Sequence, residues 1–298
     1  MIMGGNMTKP KRGFKDRRDG RYVRDMDGMH IILAHLLPQR TACEASIIEK
    51  VDLTNILAYL EQKNSGGGAV KYTIFHVVAA AAGKMLVLRP YLNRFIAGRR
   101  FYQRDEVTLA FVVKRKFSDE AGEGILVLPY TTNSTVDSLA AQVVAEAQKT
   151  REGDFSESLD AANIIARLPR FMIAFIVGIL RLLHYYGRVP AFLTTGDPYH
   201  ATMFLSNLGS IKLNAAYHHL NDWGTNSLFM TIGEKHQDLF FNNQGEPEFR
   251  PALDLCFTMD ERLADGYYYS RSIQCFKYLL QHPQLLELPA KEEVVYDG

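Results

Sequence analysis

The sequence predicts an α/β fold, a two-layer α+β sandwich in which helices cover one mixed sheet. Three observations support this. Residues 252–259 alternate apolar and polar side chains, as a half-buried strand does. Residues 136–147 place their apolar side chains on one face of a helix. Strand and helix patterns then follow one another without an internal repeat or a linker long enough to separate two domains.

The predicted elements can be justified in chain order. A strand at residues 46–50 is followed by a helix that starts within residues 51–54, where Asp52 or Thr54 can cap it. An alanine-rich helix covers residues 75–88 and ends before a proline. The remaining elements are a hairpin at residues 93–102, strands at residues 107–114, 125–129, 202–205 and 228–232, and a last helix that begins near residue 265.

The composition is that of a globular protein. Of 298 residues, 47% are hydrophobic and 22% are charged, which excludes a disordered chain and a low-complexity fibre. The first residues show no apolar core of a signal peptide. Cys43, Cys256 and Cys275 have no CxxC spacing, so neither a zinc ribbon nor a disulfide framework fits. We therefore expect a cytoplasmic protein without a metal site.

Charge is unevenly distributed along the chain. The net charge is +1, but residues 1–24 carry eight basic and two acidic side chains, which leaves −5 for the rest. Residues 1–23 are predicted to form a mobile basic arm, and residues 24–298 a single folded domain. Such arms can bind nucleic acid or anionic lipid by releasing counterions, but most are solubilising tails, and we expect no nucleic-acid partner.

Residues 171–180 (FMIAFIVGIL) are apolar on every side of a helix, between Arg170 and Arg181. Ten residues span about 15 Å, roughly half of the hydrocarbon core of a bilayer, so this helix is too short to cross a membrane. Four alternatives are open: a buried helix, a subunit contact, the wall of a tunnel for an apolar substrate, or a helix that lies at a membrane surface.

Three segments combine reactive side chains with exposed positions. Residues 260–266 (DERLADG) join a strand to the last helix, a junction that presents side chains from a rigid base. Residues 204–210 (FLSNLGS) deliver a hydroxyl and an amide into a glycine-containing turn. Residues 217–223 (YHHLNDW) hold two adjacent histidines, a poor metal site because neighbours on a strand point to opposite faces.

These segments resemble motifs of the dihydrolipoyl acyltransferase catalytic domain of 2-oxo acid dehydrogenase complexes. Residues 206–209 are similar to the SNLG turn of that family, and residues 260–266 to its DHRxxDG signature, which chloramphenicol acetyltransferase shares as HxxxDG. Asn221 falls at the asparagine of the INPP segment. Further resemblances, in the same order as in the family, are YVR at residues 22–24, VDLT at residues 51–54, PYLN at residues 90–93 and GILVLP at residues 124–129.

The resemblance implies a chloramphenicol acetyltransferase-like fold, assembled as a homotrimer or a larger cage of trimers. The active site would lie in a channel between subunits. Acyl-CoA would enter as co-substrate, with no bound cofactor, and the acceptor would be a thiol, a hydroxyl or an amine. Ser206 would donate a hydrogen bond to the oxyanion, and Asp265 would pair with Arg24 to brace the loop. The side chains expected along the channel are Asn207, His218, His219 and Asn221.

Glu261 stands where the family has its catalytic histidine. A carboxylate is a weak base near neutral pH unless burial disfavours its charged form. Three alternatives follow: Glu261 is the general base and faces Ser206 across a subunit boundary, His218 or His219 has taken over the role, or the activity is lost. In the last case the protein would be an oligomeric scaffold or a small-molecule binder. Because no lipoyl domain precedes the catalytic part, we expect a free-standing acyltransferase.

Overall fold

The computed structural model describes residues 12–68, 70–114, 123–152, 166–194, 196–242 and 244–296. The strands in this part of the chain are β1 (Gly20–Tyr22), β2 (Glu44–Asp52), β3 (Arg94–Ala97), β4 (Arg100–Arg104), β5 (Val107–Lys114), β6 (Glu123–Tyr130), β7 (Met203–Asn207), β8 (Leu228–Ile232), β9 (His236–Phe241) and β10 (Pro247–Asp260). The α-helices are α1 (Gly28–Leu36), α2 (Thr54–Ser65), α3 (Ile74–Leu88), α4 (Val136–Glu152), α5 (Arg170–Tyr185) and α6 (Gly266–Gln281).

The main sheet is mixed, as the sequence predicts. Its strand order is β2-β10-β8-β7-β5-β6, and β9 pairs with the first half of β10. Strand β7 runs parallel to both β5 and β8, whereas the other pairs are antiparallel. A second, three-stranded sheet has the order β1-β4-β3. The predicted α/β fold with a mixed sheet covered by helices is confirmed.

One face of the main sheet carries the core. The predicted alternation in β10 is observed, because Leu253, Leu255 and Phe257 all point to this face and are buried. Helices α2, α3, α4 and α6 contribute to the same apolar cluster. Burial of one such side chain stabilises the fold by about 1.5–3 kcal/mol, so this cluster fixes where the ends of β10 and α6 lie.

The other face of the main sheet is covered by loop. Its cluster is built on Phe204 of β7 and Phe229 of β8, and it contains no helical residue in the part of the chain that the structure describes. The segment after β7 lies across it. There the Thr231 hydroxyl donates to the carbonyl of Ala216 at 2.8 Å, and the His218 ring stacks on Phe229 at 3.9 Å between centroids.

Two regions differ from the sequence prediction near the N-terminus. Strand β1 pairs with β4 inside the predicted arm, and Arg17 is buried against the domain, where it forms an ion pair with Asp19 at 2.9 Å. Residues 12–23 of the predicted arm therefore contact the domain, and residues 1–11 lie outside the described residues. The boundary between the arm and the domain stays a prediction. Helix α1, which the sequence patterns did not predict, follows β1.

Helix α5 contains the apolar residues 171–180, and it has no buried residue. Of the four alternatives, the buried helix is therefore not formed within a single chain. Among the described helices, none is both long enough and apolar enough to cross a bilayer. The three cysteines are free and buried. The cytoplasmic location stays a prediction.

Candidate active site

A buried ion pair underlies the DERLADG segment. Asp260 ends β10, and its carboxylate accepts two hydrogen bonds from Arg262, from Nε at 2.7 Å and from Nη2 at 2.6 Å. Asp260 is 0% exposed and Arg262 is 1% exposed. Burial disfavours the charged guanidinium, but the bonds and the charge of Asp260 outweigh it and raise the pKa of Arg262. Glu261, between them, is exposed.

A second buried arginine ties this pair to the loop before β8. Nε of Arg40 lies 3.8 Å from the Asp260 carboxylate, and its Nη groups donate to the carbonyls of Asn221 and Gly224. Burial lowers the pKa of Arg40, while Asp260 opposes this shift. The Asp222 carboxylate accepts from the backbone N–H of Arg40 at 2.9 Å. Two arginines and two carboxylates therefore fix the end of β10 and the loop together.

Glu261 lines a groove of about 690 Å³ between α1, β2 and α6. Asp265 lies on the same groove, and so do Glu49 and Lys277, which form an ion pair at 2.7 Å. Charged side chains line part of this groove, which is partly open to solvent. It can therefore accommodate a polar ligand beside the Glu261 carboxylate.

His30 on α1 also lines this groove, and the sequence patterns did not single it out. Its Nδ1 is hydrogen-bonded to the carboxylate of Asp27, which caps α1 by accepting from the N–H groups of Met29 and His30. The backbone bond from His30 is the main cause that lowers the pKa of Asp27. An aspartate before a helix with a histidine three residues later is the signal that could have identified this pair.

Asp265 and Arg24 do not form the predicted brace within one chain, and a brace between two subunits stays a prediction. Asp265 is exposed and caps α6, with its Oδ1 accepting from the N–H of Tyr268 at 2.7 Å. Arg24 is exposed and forms no ion pair with any residue that the structure describes. The buried brace of this loop is the pair of Asp260 and Arg262. Asp260 is the last residue of β10 and is buried, whereas Asp265 lies five residues further on, at the exposed start of α6.

Ser206 lies near the end of β7, half-buried on the loop-covered face of the sheet, opposite Thr231 of β8. Its hydroxyl has no hydrogen-bond partner among the described residues. The turn that follows needs Gly209, because a Cβ there would lie 2.6 Å from the carbonyl oxygen of Gly233. Asn207 is half-buried beside it, and its carbonyl accepts from the hydroxyl of Ser210 at 2.7 Å.

Ser206 and Glu261 lie at opposite ends of the main sheet. Met259 pairs with Leu228, which pairs with Met203, so the end of β10 is level with the start of β7. Ser206 lies further along β7. The two side chains are therefore separated by roughly 16 Å along the strands and roughly 10 Å across them. Within one chain, they do not meet.

The other predicted channel residues have local roles. His218 and His219 are exposed, and the Nδ1 atoms lie 2.8 Å and 2.7 Å from the carbonyl oxygens of the residues that follow each of them. The Asn221 carboxamide accepts from the N–H of Trp223 at 2.9 Å and so closes a turn. None of these residues lines the Glu261 groove. Within the described ranges, no group of three or more His, Cys, Asp or Glu side chains is placed to hold a metal ion.

No protein-family model matches this sequence, and no curated protein matches it. Solved structures do match the fold. A dihydrolipoamide acetyltransferase from Azotobacter vinelandii has a TM-score of 0.59 at 16% identity, covering 90% of this chain and 95% of that one. A probable dihydrolipoamide acetyltransferase from Listeria monocytogenes has a TM-score of 0.58 at 14% identity, covering 88% and 95%. A truncated catalytic core from Thermoplasma acidophilum has a TM-score of 0.53 at 16% identity, covering 88% and 98%.

These similarities define the class of the fold. The chain has the fold of the catalytic cores of dihydrolipoamide acetyltransferases, as its motifs predict. For the Azotobacter protein, the solved structure addresses the role of a serine, a histidine and an asparagine in the catalytic mechanism.

Proposed function

We propose that this protein transfers an acyl group from acyl-CoA to a thiol, hydroxyl or amine acceptor, at a site formed between two subunits. The observation that carries the proposal is the position of Ser206 and Glu261 at opposite ends of one sheet, in a fold shared with acetyltransferase cores. A site that needs both side chains then requires the Glu261 end of one subunit and the Ser206 end of another.

The exposed surface supports an assembly of several subunits. The segment that follows Ser206 exposes Ile211, Leu213 and Tyr217 beside the loop-covered face of the sheet, and Ile48 of β2 is exposed on the same face. Apolar patches of this kind are typical of protein contacts. One of the matched structures is described as the cubic core of a pyruvate dehydrogenase complex. We propose a homotrimer or a multiple of trimers, because a closed ring of identical contacts gives every subunit one complete site.

The proposed reaction assigns a role to each side chain. The lone pair of the acceptor attacks the thioester carbonyl carbon, and the carbonyl oxygen becomes an oxyanion that accepts a hydrogen bond from the Ser206 hydroxyl. A base at the groove takes the proton of the acceptor. The carbon–sulfur bond of acyl-CoA then breaks, and the CoA thiolate receives that proton. Acyl-CoA is a co-substrate, and no bound cofactor is required.

Two groups on the groove can take the proton. Glu261 occupies the position of the family's histidine, and its carboxylate is exposed to the groove. His30 is the second candidate, because Asp27 holds its Nδ1 and leaves Nε2 as the free ring nitrogen. His218 and His219 are not favoured, since neither lines this groove.

Three variants, each with glutamine in place of the native side chain, separate these roles. Glu261→Gln should reduce acyl transfer by about 10²- to 10⁴-fold if Glu261 is the base, since this is the usual contribution of base catalysis. His30→Gln tests the second candidate in the same way. Glu49→Gln is the matched control, because it removes one negative charge from the same groove at a residue paired with Lys277. Turnover of acetyl-CoA and longer acyl-CoA donors with thiol, alcohol and amine acceptors is the measurement.

The substitution of the family's histidine by Glu261 favours one other function. An inactive homologue would bind acyl-CoA or another small molecule and act as an oligomeric scaffold. For an inactive homologue, calorimetry should detect binding of CoA to the wild-type protein, but the protein should transfer no acyl group to any acceptor tested. Equal turnover by the wild type and all three variants would exclude both candidate bases while keeping the protein an enzyme.

A further inference from the structure

Helix α5 has two apolar sides, and the described residues cover only one of them. The half-buried side consists of Ile173, Ile176, Leu180 and Leu183. The second side consists of Phe171, Phe175, Leu182 and the following Tyr186, all between 59% and 74% exposed. Their spacing of four, seven and four residues keeps them within one stripe of the helix surface. We name these four residues the outer stripe.

The C-terminal end of α5 is held firmly against the domain. The His184 ring packs against His200 and Trp223, with centroids 5.8 Å and 5.3 Å away. The carbonyl of His184 accepts from Nη1 of Arg17 at 2.8 Å. These contacts fix the rotation of the helix, so the outer stripe faces away from the protein in a defined direction.

Positive charge surrounds the outer stripe. A Cβ on Gly98 would lie 2.4 Å from the carbonyl oxygen of Tyr185, so the turn between β3 and β4 packs against the end of α5. The exposed arginines of α5, its flanks and this turn are Arg99, Arg100, Arg167, Arg170, Arg181 and Arg188. None of the six forms an ion pair with a described residue. The described residues from 166 to 194 include no Asp or Glu.

The nearby carboxylates are already engaged. Asp19 forms an ion pair with Arg17 at 2.9 Å. Asp222 accepts from the backbone N–H of Arg40 and from the hydroxyl of Thr41. Among the described residues, the surface around the outer stripe therefore combines large apolar side chains with guanidinium groups that are not paired with a carboxylate.

We propose that α5 and the turn between β3 and β4 bind the surface of an anionic lipid membrane. The helix would lie in the plane of the interface, with the outer stripe among the acyl chains and the arginines at the lipid phosphates. The charge of this surface favours an anionic membrane, and not a second copy of the chain, as its partner. Two copies that met on this stripe would bring twelve arginines together without a matching acid among the described residues, whereas anionic phosphates neutralise them. The proposal does not depend on the acyltransferase reaction.

The test is sedimentation of the full-length protein with vesicles. Vesicles of equal parts phosphatidylglycerol and phosphatidylcholine should bind the wild type at least about tenfold more tightly than vesicles of phosphatidylcholine alone, and added salt should weaken this binding. Phe171→Ser with Phe175→Ser should reduce the binding by a similar factor. Both side chains are exposed, so the double variant should keep the wild-type melting temperature.

The matched control is Phe241→Ser with Phe249→Ser, which removes two equally exposed phenylalanines on the β9–β10 hairpin. The basic residues before β1 can also bind anionic lipid. The comparison between the two phenylalanine variants therefore decides whether α5 is the element that binds. Absence of vesicle binding by the wild type would overturn the proposal, and so would an equal loss in the control variant. Light scattering of the Phe171→Ser, Phe175→Ser variant tests the alternative partner. If its molar mass differs from that of the wild type, and the wild type does not bind vesicles, the outer stripe is a contact between copies of the chain.

Discussion

Asp260 and Arg262 form a buried, two-bond ion pair directly beneath Glu261, with donor–acceptor distances of 2.7 Å and 2.6 Å. The intervening residue is thereby turned outward. Tyr269 of α6 strengthens the arrangement, since its hydroxyl donates to the Asp260 carbonyl at 2.6 Å. The position of Glu261 over the groove is therefore set by its two neighbours and by the helix that follows, before any substrate binds.

The first prediction concerns the stability of this pair. Arg262→Met leaves the Asp260 carboxylate buried without its main partner, which should lower the free energy of unfolding by about 3–5 kcal/mol. Urea unfolding measures it. Arg250→Met is the control, because Arg250 also contacts two carboxylates, at 2.8 Å and 3.0 Å, but at the surface. It should be much less destabilising. Equal losses in the two variants would show that burial of the Arg262 pair is not what stabilises the loop.

A second prediction concerns the residue that the sequence marked as the brace. Asp265→Ala removes only a helix cap, so the free energy of unfolding should fall by about 1 kcal/mol. Arg24→Ala should leave it unchanged. If Asp265→Ala costs as much as Arg262→Met and Arg24→Ala matches it, the predicted brace exists in the assembled protein, with the two residues on different subunits.

The third prediction is a pH dependence of stability. Burial lowers the pKa of His184 to about 4, with Arg17 adding to the effect. The unfolded chain takes up this proton near the ordinary value of 6.5, whereas the folded chain does not until about pH 4. Stability is therefore present above pH 6.5 and is lost as the pH falls toward 4, by at most about 1.4 kcal/mol per pH unit.

His184→Phe should flatten this slope between pH 6.5 and 5, measured as denaturation midpoints at a series of pH values. His218→Phe, at an exposed ring, is the control and should keep the wild-type slope. An unchanged slope in His184→Phe would mean that the ring is not held neutral against His200 and Trp223.

A fourth prediction separates catalysis from folding at Ser206. Ser206→Ala should reduce turnover by about 10²- to 10³-fold, the usual effect of removing one oxyanion donor. The melting temperature should stay within a degree or two of the wild type, because no described residue hydrogen-bonds to this hydroxyl. A large fall in melting temperature with unchanged turnover per folded molecule would make Ser206 a structural residue of the turn.

The sequence predicted the core strands because one buried face imposes a visible alternation. The three apolar positions of β10 at Leu253, Leu255 and Phe257 show this directly. It also located the DERLADG and SNLG segments, whose motifs are short and local. It did not predict α1, because the apolar side chains Met29, Ile31 and Ile32 are exposed and give no one-sided pattern.

The sequence did not predict the hydrogen-bond and ion-pair partners of the site residues, for a different reason. Arg262 bonds the carboxylate two positions before it, whereas spacing gave no basis for choosing between Asp260 and Asp265. The third member of the cluster, Arg40, comes from a distant segment and is placed by tertiary packing alone. His30 enters the groove only because α1 packs on the turn after β10.

The central claim is that Glu261 of one subunit and Ser206 of another form one active site. The most direct test mixes two inactive variants, Glu261→Gln and Ser206→Ala, by refolding them together in equal amounts. If the site lies between subunits, random mixing leaves both native residues at about one quarter of all contacts in the refolded trimers, and about one quarter of wild-type acyl transfer should return. If the site lies within one chain, every subunit carries one of the two substitutions, and a mixture as inactive as its parents would contradict the account.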